Sequence, residues 1–271
     1  MNYGAQTYAW QMSIERYCGK IPHILDVCKA AGFQGLEIET SMLGEYEEKP
    51  EELKKTFRER NMTLAAIGVP VAWGEKSREE IRRVICQSAE TALPFGSTLM
   101  SLSLIPPEKP IVDREKQQKK MLEFLSEMDA VIKTYGHRTA FHTNSSETSL
   151  FREYGDYQRL KRFFEETGIG YTPDAGHIVH GGMDAEQIFA EFMPYIVHVH
   201  YKDINEQGEW VPMGQGMIPF KRLTQQLENA MYSGWILVEE ESKEARENPD
   251  AAMLENGNWI CSMKENKFKL V

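Results

Sequence analysis

The chain is poor in the features that mark several classes of protein. Its 271 residues include four cysteines, and no two of them form a C-x-x-C pair. We interpret Cys18, Cys28, Cys86 and Cys261 as small buried hydrophobes in a reducing cytoplasm. No apolar run approaches the roughly 20 residues of a membrane span, and residues 1–6 form a strand-like run rather than a signal peptide. We therefore expect a cytoplasmic protein without a membrane partner.

Positive charge is also in deficit. The chain has 31 Lys and Arg residues against 41 Asp and Glu residues, and its net charge is −10 at pH 7. Nucleic acids and anionic membranes are bound through a basic face. This balance of charge argues against either as the main partner.

Short apolar runs alternate with longer amphipathic runs along the chain. The eight candidate strands are Tyr3–Thr7, Gly35–Glu39, Thr63–Ile67, Thr98–Ser103, Arg138–His142, Gly170–Pro173, Val197–Tyr201 and Trp235–Glu239. The candidate helices are Ile21–Ala31, Pro50–Glu59, Arg78–Thr91, Asp113–Tyr135, Asp156–Thr167, Asp184–Phe192, Pro219–Ala230 and a last helix within Asn248–Met263. Repeated strand–helix units imply parallel strands with crossover helices. We predict an α/β protein, a single (β/α)8 TIM barrel that spans residues 1–271 as one domain.

An open, doubly wound sheet is the alternative architecture. Such a sheet usually carries a glycine-rich phosphate loop after its first strand, and Thr7-Tyr8-Ala9-Trp10 is no such loop. The closed barrel is therefore preferred, and in a barrel the active site lies at the carboxyl ends of the strands.

Polar residues end four of the later strands. The segments read AFHTN at 140–144, YTPDAGH at 171–177, HVHYKD at 198–203 and ILVE at 236–239. A buried carboxylate needs a cation or several hydrogen-bond donors, and four converging strand ends would form a metal site. We expect Asp174, His200 and Glu239 to be ligands and His142 to be a site residue, because imidazole binds divalent metals directly.

The neighbours of these residues receive further roles. His198, His200 and Lys202 share one face of a strand, which is less costly to place inside the barrel than under the helices. Lys202 suits an electrophile or an acid near a substrate oxygen, and Asp203 would orient it or cap the loop. His177 is either a site residue or a satisfied core histidine.

Other candidates lie in the second strand and in the loops. Glu37 and Glu39 share a face, so one could hydrogen-bond inside the barrel while the other reaches the substrate. Asn144 could be only a weak ligand or a hydrogen-bonding group. Glu240 and Glu241 are interpreted as a solvated acidic loop. Three aromatic residues could wall a sugar pocket or pack in the core: Tyr8, Trp10 and Trp73.

The segments YTPDAGH, HVHYKD and GWILVEE, with GFQGLEIE upstream, resemble the xylose isomerase-like TIM-barrel superfamily. It includes sugar isomerases and epimerases, inosose dehydratases and dehydroshikimate dehydratases, and the resemblance covers nearly the whole chain. It implies one divalent metal ion (Mn, Co, Zn or Mg) held by His142, Asp174, His200 and Glu239. Many members have Glu in place of His142. Inosose dehydratases tend to carry His there, but the second His of their His-x-His pattern is Asn144 in this chain.

The resemblance also implies an activity. The expected enzyme removes the proton next to the carbonyl of a small ketose or keto-polyol and so forms an enediolate. Isomerisation, epimerisation and dehydration share this first half, so an inosose-type dehydratase is the alternative. We assign catalysis to Glu239, Lys202 and His177, and substrate binding to Glu39, Asn144, His198 and Trp10.

Three more distant alternatives stay open. A DNA repair endonuclease shares this barrel, but the net charge of −10 disfavours it. A non-catalytic sugar-binding barrel would bind metal weakly. A metal-independent aldolase would need a Schiff-base lysine, for which Lys202 is the obvious candidate. Homo-oligomers are common among such barrels, and the sequence leaves the oligomeric state open.

Overall fold

The computed structural model describes residues 1–265, and its centre is a barrel of eight parallel strands. The strands are β1 (Asn2–Gln6), β2 (Gly35–Glu39), β3 (Thr63–Val71), β4 (Leu99–Leu104), β5 (Arg138–His142), β6 (Gly170–Thr172), β7 (Val199–Tyr201), then a separate hairpin of β8 (Asp203–Ile204) and β9 (Trp210–Val211), and finally β10 (Trp235–Val238). The sheet order is β6-β5-β4-β3-β2-β1-β10-β7. The amides of Val197 and His200 donate to the carbonyls of Tyr171 and Pro173, which brings the two edge strands together. The predicted (β/α)8 fold is confirmed.

Helices surround the barrel and connect its strands. They are α1 (Tyr8–Gln11), α2 (Ile14–Tyr17), α3 (Ile21–Ala30), α4 (Pro50–Arg60), α5 (Arg78–Ala92), α6 (Arg114–Thr134), α7 (Tyr154–Thr167), α8 (Ala175–His180), α9 (Ala185–Phe192), α10 (Phe220–Asn229), α11 (Lys243–Glu247) and α12 (Pro249–Glu265). Short 3₁₀ turns lie at Thr40–Met42, Gly44–Glu47, Leu93–Phe95 and Met193–Tyr195.

Local sequence signals set several helix ends. Ser77 and Glu80 form a reciprocal capping box at the start of α5. Asp184 caps α9 by accepting a hydrogen bond from the backbone N–H of Gln187, as its position in the sequence predicts. Gly168 ends α7 in the left-handed conformation, which glycine adopts at little cost.

Some boundaries differ from the prediction. Strand β3 continues to Val71, four residues beyond the predicted end at Ile67, because it stays paired with β4 as far as Leu104. The short helices α1, α2, α8 and α11 and the β8–β9 hairpin were not expected. The single domain over residues 1–271 stays a prediction, and residues 266–271 lie outside the part of the chain that is described.

The cysteines correct part of the sequence interpretation. All four are free; Cys28 is buried and Cys86 is half-buried, but Cys18 and Cys261 are exposed. The interpretation as buried hydrophobes is therefore wrong for those last two. Within residues 1–265, no helix combines the length and the apolar character needed to cross a membrane.

Candidate metal centre

Four side chains from neighbouring strands meet at the carboxyl end of the barrel. His142 is the last residue of β5, Asp174 follows β6, His200 lies in β7 and Glu239 follows β10. One potential ligand atom from each lies within 4.8 Å of the other three. All four side chains are buried. The structure thus brings together the residues that the sequence and its resemblance propose as ligands.

Several potential ligand atoms of this cluster lack hydrogen-bond partners among the described residues. Both ring nitrogens of His142, Oδ2 of Asp174 and Nδ1 of His200 make no hydrogen bond. His142 Nε2 lies 3.8 Å from Asp174 Oδ2, and His200 Nδ1 lies 2.7 Å from Glu239 Oε2 without hydrogen-bond geometry. The other oxygen of Asp174 accepts the backbone N–H of His177 at 2.7 Å. An unpaired buried polar atom costs about 1–3 kcal/mol, so a divalent cation would satisfy atoms that the protein leaves unpaired.

A fully buried carboxylate beneath the cluster orients one of these side chains. Glu37 Oε2 lies 2.9 Å from Nε2 of His200 and 2.7 Å from Nε2 of His198. Burial opposes ionisation, but the two histidines lower the pKa of Glu37 to about 2, so it is a carboxylate and both imidazoles donate to it. With Nε2–H of His200 held in this way, Nδ1 is the nitrogen that faces the cluster. Gly68 leaves room for the arrangement, because a Cβ there would lie 3.0 Å from Glu37 Oε1.

Lys202 adds a buried positive charge beside the cluster. Its Nζ lies 2.5 Å from Glu239 Oε1 and 2.8 Å from Glu241 Oε2, and the rings of Tyr8 and Trp210 flank it with centroids at 5.5 and 4.9 Å. Burial opposes the charge, but Glu239 and Glu241 raise the pKa of Lys202 well above its ordinary value. Against the same effect of burial, Lys202 lowers the pKa of Glu239 well below its usual range. A lysine that stays charged suits an electrostatic role better than proton donation.

His177 lies in a chain of hydrogen bonds that starts at this ammonium. Its Nε2 is 3.2 Å from Lys202 Nζ, its Nδ1 is 2.8 Å from Ser145 Oγ, and that hydroxyl is 2.8 Å from Nδ1 of His180. An ammonium can only donate, so Nε2 of His177 accepts and Nδ1 donates to Ser145. Burial, and then Lys202, lower the pKa of His177 to about 3. His177 is therefore a neutral, oriented imidazole beside the cluster.

Two of the residues predicted to bind substrate lie near the rim. Asn144 Nδ2 is 3.5 Å from His177 Nε2, and the side chain is half-buried. Glu39 accepts the backbone N–H of Ser41 at 2.9 Å and the side-chain amide of Gln11, whereas Glu37 on the same strand face bonds inside the barrel. Their contact with substrate stays a prediction.

The other two lie deeper. His198 is fully buried against Glu37. Trp10 is also fully buried, and its indole N–H donates to Asp250 at 2.7 Å. Of the two roles that the sequence leaves open, a pocket wall or core packing, this position favours core packing. Trp73 likewise donates to a side chain, that of Gln117. A role for either Trp10 or His198 in binding substrate stays a prediction.

The loop after β10 corrects one sequence interpretation. Glu240 and Glu241 do not form a solvated acidic loop. Glu240 is buried and accepts hydrogen bonds from Asn256 Nδ2 at 2.6 Å and from the backbone of Ser242 at 2.9 Å. Glu241 pairs with Lys202. The only sequence signal for Glu241 was its spacing of two residues from Glu239, and β10 ends at Val238, before either residue.

The β8–β9 hairpin supplies a site residue that sequence reasoning missed. Asp203 caps the loop around it, as one sequence interpretation expected, by accepting the backbone N–H groups of Gly214 at 2.8 Å and Gly216 at 3.0 Å. The hairpin carries Trp210, whose ring lies 5.2 Å from that of His177 and 5.3 Å from that of His180. No motif pointed to Trp210, because it reaches the cluster from a short excursion outside the barrel.

Known proteins resemble this chain over most of its length. The family model described as xylose isomerase-like TIM barrel matches residues 25–263. An inosose dehydratase of Clostridium perfringens is 25% identical over 248 residues, which cover 81% of this chain and 82% of the relative. Among solved structures, the IolI protein with a bound zinc atom has a TM-score of 0.78 at 18% identity and covers 95% of each chain. A D-psicose 3-epimerase of Clostridium cellulolyticum H10, solved with D-tagatose, has a TM-score of 0.77 at 16% identity and covers 98% of this chain and 99% of its own.

The match of the family model extends from α3 to α12 and so contains seven of the eight barrel strands together with the whole four-residue cluster. The chain belongs to the xylose isomerase-like TIM-barrel family.

Proposed function

We propose that the protein is a metal-dependent enzyme that removes the proton next to the carbonyl of a ketose or keto-polyol. The observation that carries this proposal is the buried convergence of His142, Asp174, His200 and Glu239, with unpaired donor atoms, beside the ammonium of Lys202. The names of the relatives and structural neighbours, inosose dehydratase and D-psicose 3-epimerase, support a small sugar or polyol as substrate.

The residues divide the work according to their chemistry. The four clustered side chains would hold one divalent ion, which supplies Lewis-acid polarisation of a carbonyl when bound. Glu239 is held as a carboxylate and can accept the α proton, whose departure leaves its electron pair in the new carbon–carbon double bond. Lys202 stays protonated and would orient the substrate through a hydrogen bond to one of its oxygens. Neutral His177 orients Lys202.

Return of the proton at the neighbouring carbon would isomerise the substrate, and return on the opposite face would epimerise it. An inosose-type dehydratase is the second candidate: after the same first step the β carbon–oxygen bond breaks, and the hydroxyl departs as water with the proton that Glu239 has accepted. His142 stands where an epimerase would place a second carboxylate, which favours the dehydratase over an epimerase. The name of the inosose dehydratase relative supports the same candidate.

Deuterium exchange tests the shared first step before the product is known. The full chain is incubated in D2O with ketoses, inososes and dehydroshikimate, with Mn, Co or Mg added, and NMR records deuterium at the α carbon and loss of water. We expect exchange with at least one substrate.

Two variants separate the roles. His200→Ala should lose both exchange and turnover, whereas Lys202→Met should keep more exchange than turnover. Equal loss of exchange in both would move Lys202 into the first step. Absence of exchange with every substrate and metal would favour the non-catalytic sugar-binding barrel.

A further inference from the structure

A cavity of about 1100 Å³ opens at the end of the barrel opposite the metal centre. Its lining comes from the starts of β3, β4, β5 and β10, from the residues just before β7, and from the last turns of α4. Half-buried apolar side chains form much of its wall: Leu64, Phe95, Met193, Val197 and Trp235. Ligand sites in proteins are mostly concave and apolar, with volumes of about 300–1000 Å³ and a few polar groups that orient the ligand, so this cavity is slightly larger than most.

The charge of this cavity has one sign. Lys54, Arg58 and Arg138 line it, and no Asp or Glu does, although acidic residues outnumber basic ones 41 to 31 in the chain. Within residues 1–265, none of these three cations forms an ion pair. Their neighbours on α4 do, since Lys55 pairs with Glu59 and Arg60 pairs with Asp26.

The helix dipole offsets the repulsion between two of these cations and so accounts for part of their placement. Lys54 and Arg58 are four residues apart on one helix, where two like charges destabilise it by roughly 0.2–0.5 kcal/mol. Arg58 lies in the last turn of α4 and gains from the helix dipole there. That gain does not apply to Arg138, which begins β5.

The floor of the cavity holds an unpaired polar atom. His198 lines it and is fully buried, and its Nδ1 has no hydrogen-bond partner among the described residues. Nε2 of the same ring points to Glu37. Because Nε2–H donates to Glu37, Nδ1 is a buried lone-pair acceptor, so the floor would not hold an anionic group; the cations of the lining would.

We propose that this amino-end cavity is a second binding site, for a small organic anion with an apolar body. The apolar walls would cover the body, and Arg58, Arg138 and Lys54 would hold the anionic group by charge-assisted hydrogen bonds. The proposal does not depend on the metal centre, which lies at the other end of the barrel.

Two probes of the same shape test it. The sulfonate 8-anilinonaphthalene-1-sulfonate carries an anion on an aromatic body, and N-phenyl-1-naphthylamine has that body without the anion. Fluorescence titration of the full chain should show one saturable site for the sulfonate and weaker binding of the neutral amine. Raising the ionic strength from about 0.1 M to about 1 M should weaken the binding of the sulfonate and leave the binding of the amine unchanged.

Variants locate the site. Arg58→Gln and Arg138→Gln should each lower the affinity for the sulfonate by up to about fivefold, which corresponds to the loss of one exposed ion pair. Neither should change the affinity for the amine. Lys54→Gln should act in the same direction, whereas its neighbour Lys55→Gln should not. Met231→Glu, at a lining side chain that is 87% exposed, should also weaken binding without disturbing the fold.

The contrary results are equally definite. No saturable sulfonate site, equal affinity for both probes, or an equal effect of Lys55→Gln and Arg58→Gln would overturn the proposal. So would loss of the sulfonate site in Asp174→Asn, because that result would put the probe at the carboxyl end of the barrel.

Discussion

Glu37 offers the sharpest test of how the barrel prepares its metal centre. Its carboxylate touches none of the atoms that face the cluster, yet Oε2 accepts hydrogen bonds from both His200 and His198. In Glu37→Gln the carboxamide oxygen can take the place of Oε2 and keep both bonds. The amide nitrogen would then occupy the place of Oε1, which has no hydrogen-bond partner among the described residues. The substitution thus removes the charge and preserves the shape.

The expected effect is on metal affinity. A carboxylate that accepts the distal N–H of a ligating imidazole raises its basicity, and its loss typically weakens metal binding by about 10- to 100-fold, or about 1.4–2.7 kcal/mol. The free energy of unfolding is a poor substitute for this measurement. Removing a fully buried charge relieves its burial, and that gain opposes the loss of two charge-assisted hydrogen bonds.

Competition with a chromophoric chelator for Zn or Co would measure the affinity, and far-UV circular dichroism would check the fold. Glu240→Gln is the matched control, because Glu240 is also a buried carboxylate, but it binds Asn256 and the backbone of Ser242 and lies outside the cluster. Wild-type affinity in Glu37→Gln would refute the reasoning. An equal loss in Glu240→Gln would attribute the effect to general disturbance of the barrel.

Two further substitution pairs test the centre and its surroundings. Asp174→Ala should lower the metal content after purification far more than Asp203→Ala, because the carboxylate of Asp203 accepts hydrogen bonds from backbone N–H groups of a loop. Equal metal retention in both variants, measured by mass spectrometric metal analysis, would contradict the ligand assignment. Gly176→Ala should destabilise the protein by about 1–3 kcal/mol in urea denaturation, since the new Cβ would lie 2.7 Å from the carbonyl oxygen of Lys202, whereas Gly155→Ala, with nothing within 4 Å, should stabilise it by up to about 1 kcal/mol. A stabilised Gly176→Ala would show that the helix preference for alanine outweighs the contact.

The fold was predictable because the barrel strands are short apolar runs separated by amphipathic helices. Every barrel strand lies where the pattern predicts it, and the main error concerns the end of β3. There Gly68 and Pro70 interrupt a run that nevertheless stays paired with β4, because Pro70 and Ser103 remain in register. Backbone pairing across strands, which a single sequence does not display, decides how far such a strand extends.

Within the site, predictability followed distance from a strand. His142 and His200 lie in strands, so the alternation of faces already aims them at one another. Glu241 lies two residues beyond Glu239, where the strand has ended and alternation no longer constrains the chain. Its contact with Lys202 therefore depends on the path of the loop. Trp210 depends on a hairpin of two-residue strands that is too short to leave a periodic signal.

The two ends of the barrel differ in what a sequence can reveal. At the carboxyl end, chemistry follows directly after an apolar run, so a carboxylate or imidazole in that position stands out against its neighbours. At the amino end, Arg58 lies in the last turn of a helix and Arg138 starts a strand, where basic residues are ordinary in sequence terms. Only the fold shows that they face one cavity without a carboxylate among its lining residues. A cationic site assembled from such positions leaves no motif, and its function must be argued from charge and shape.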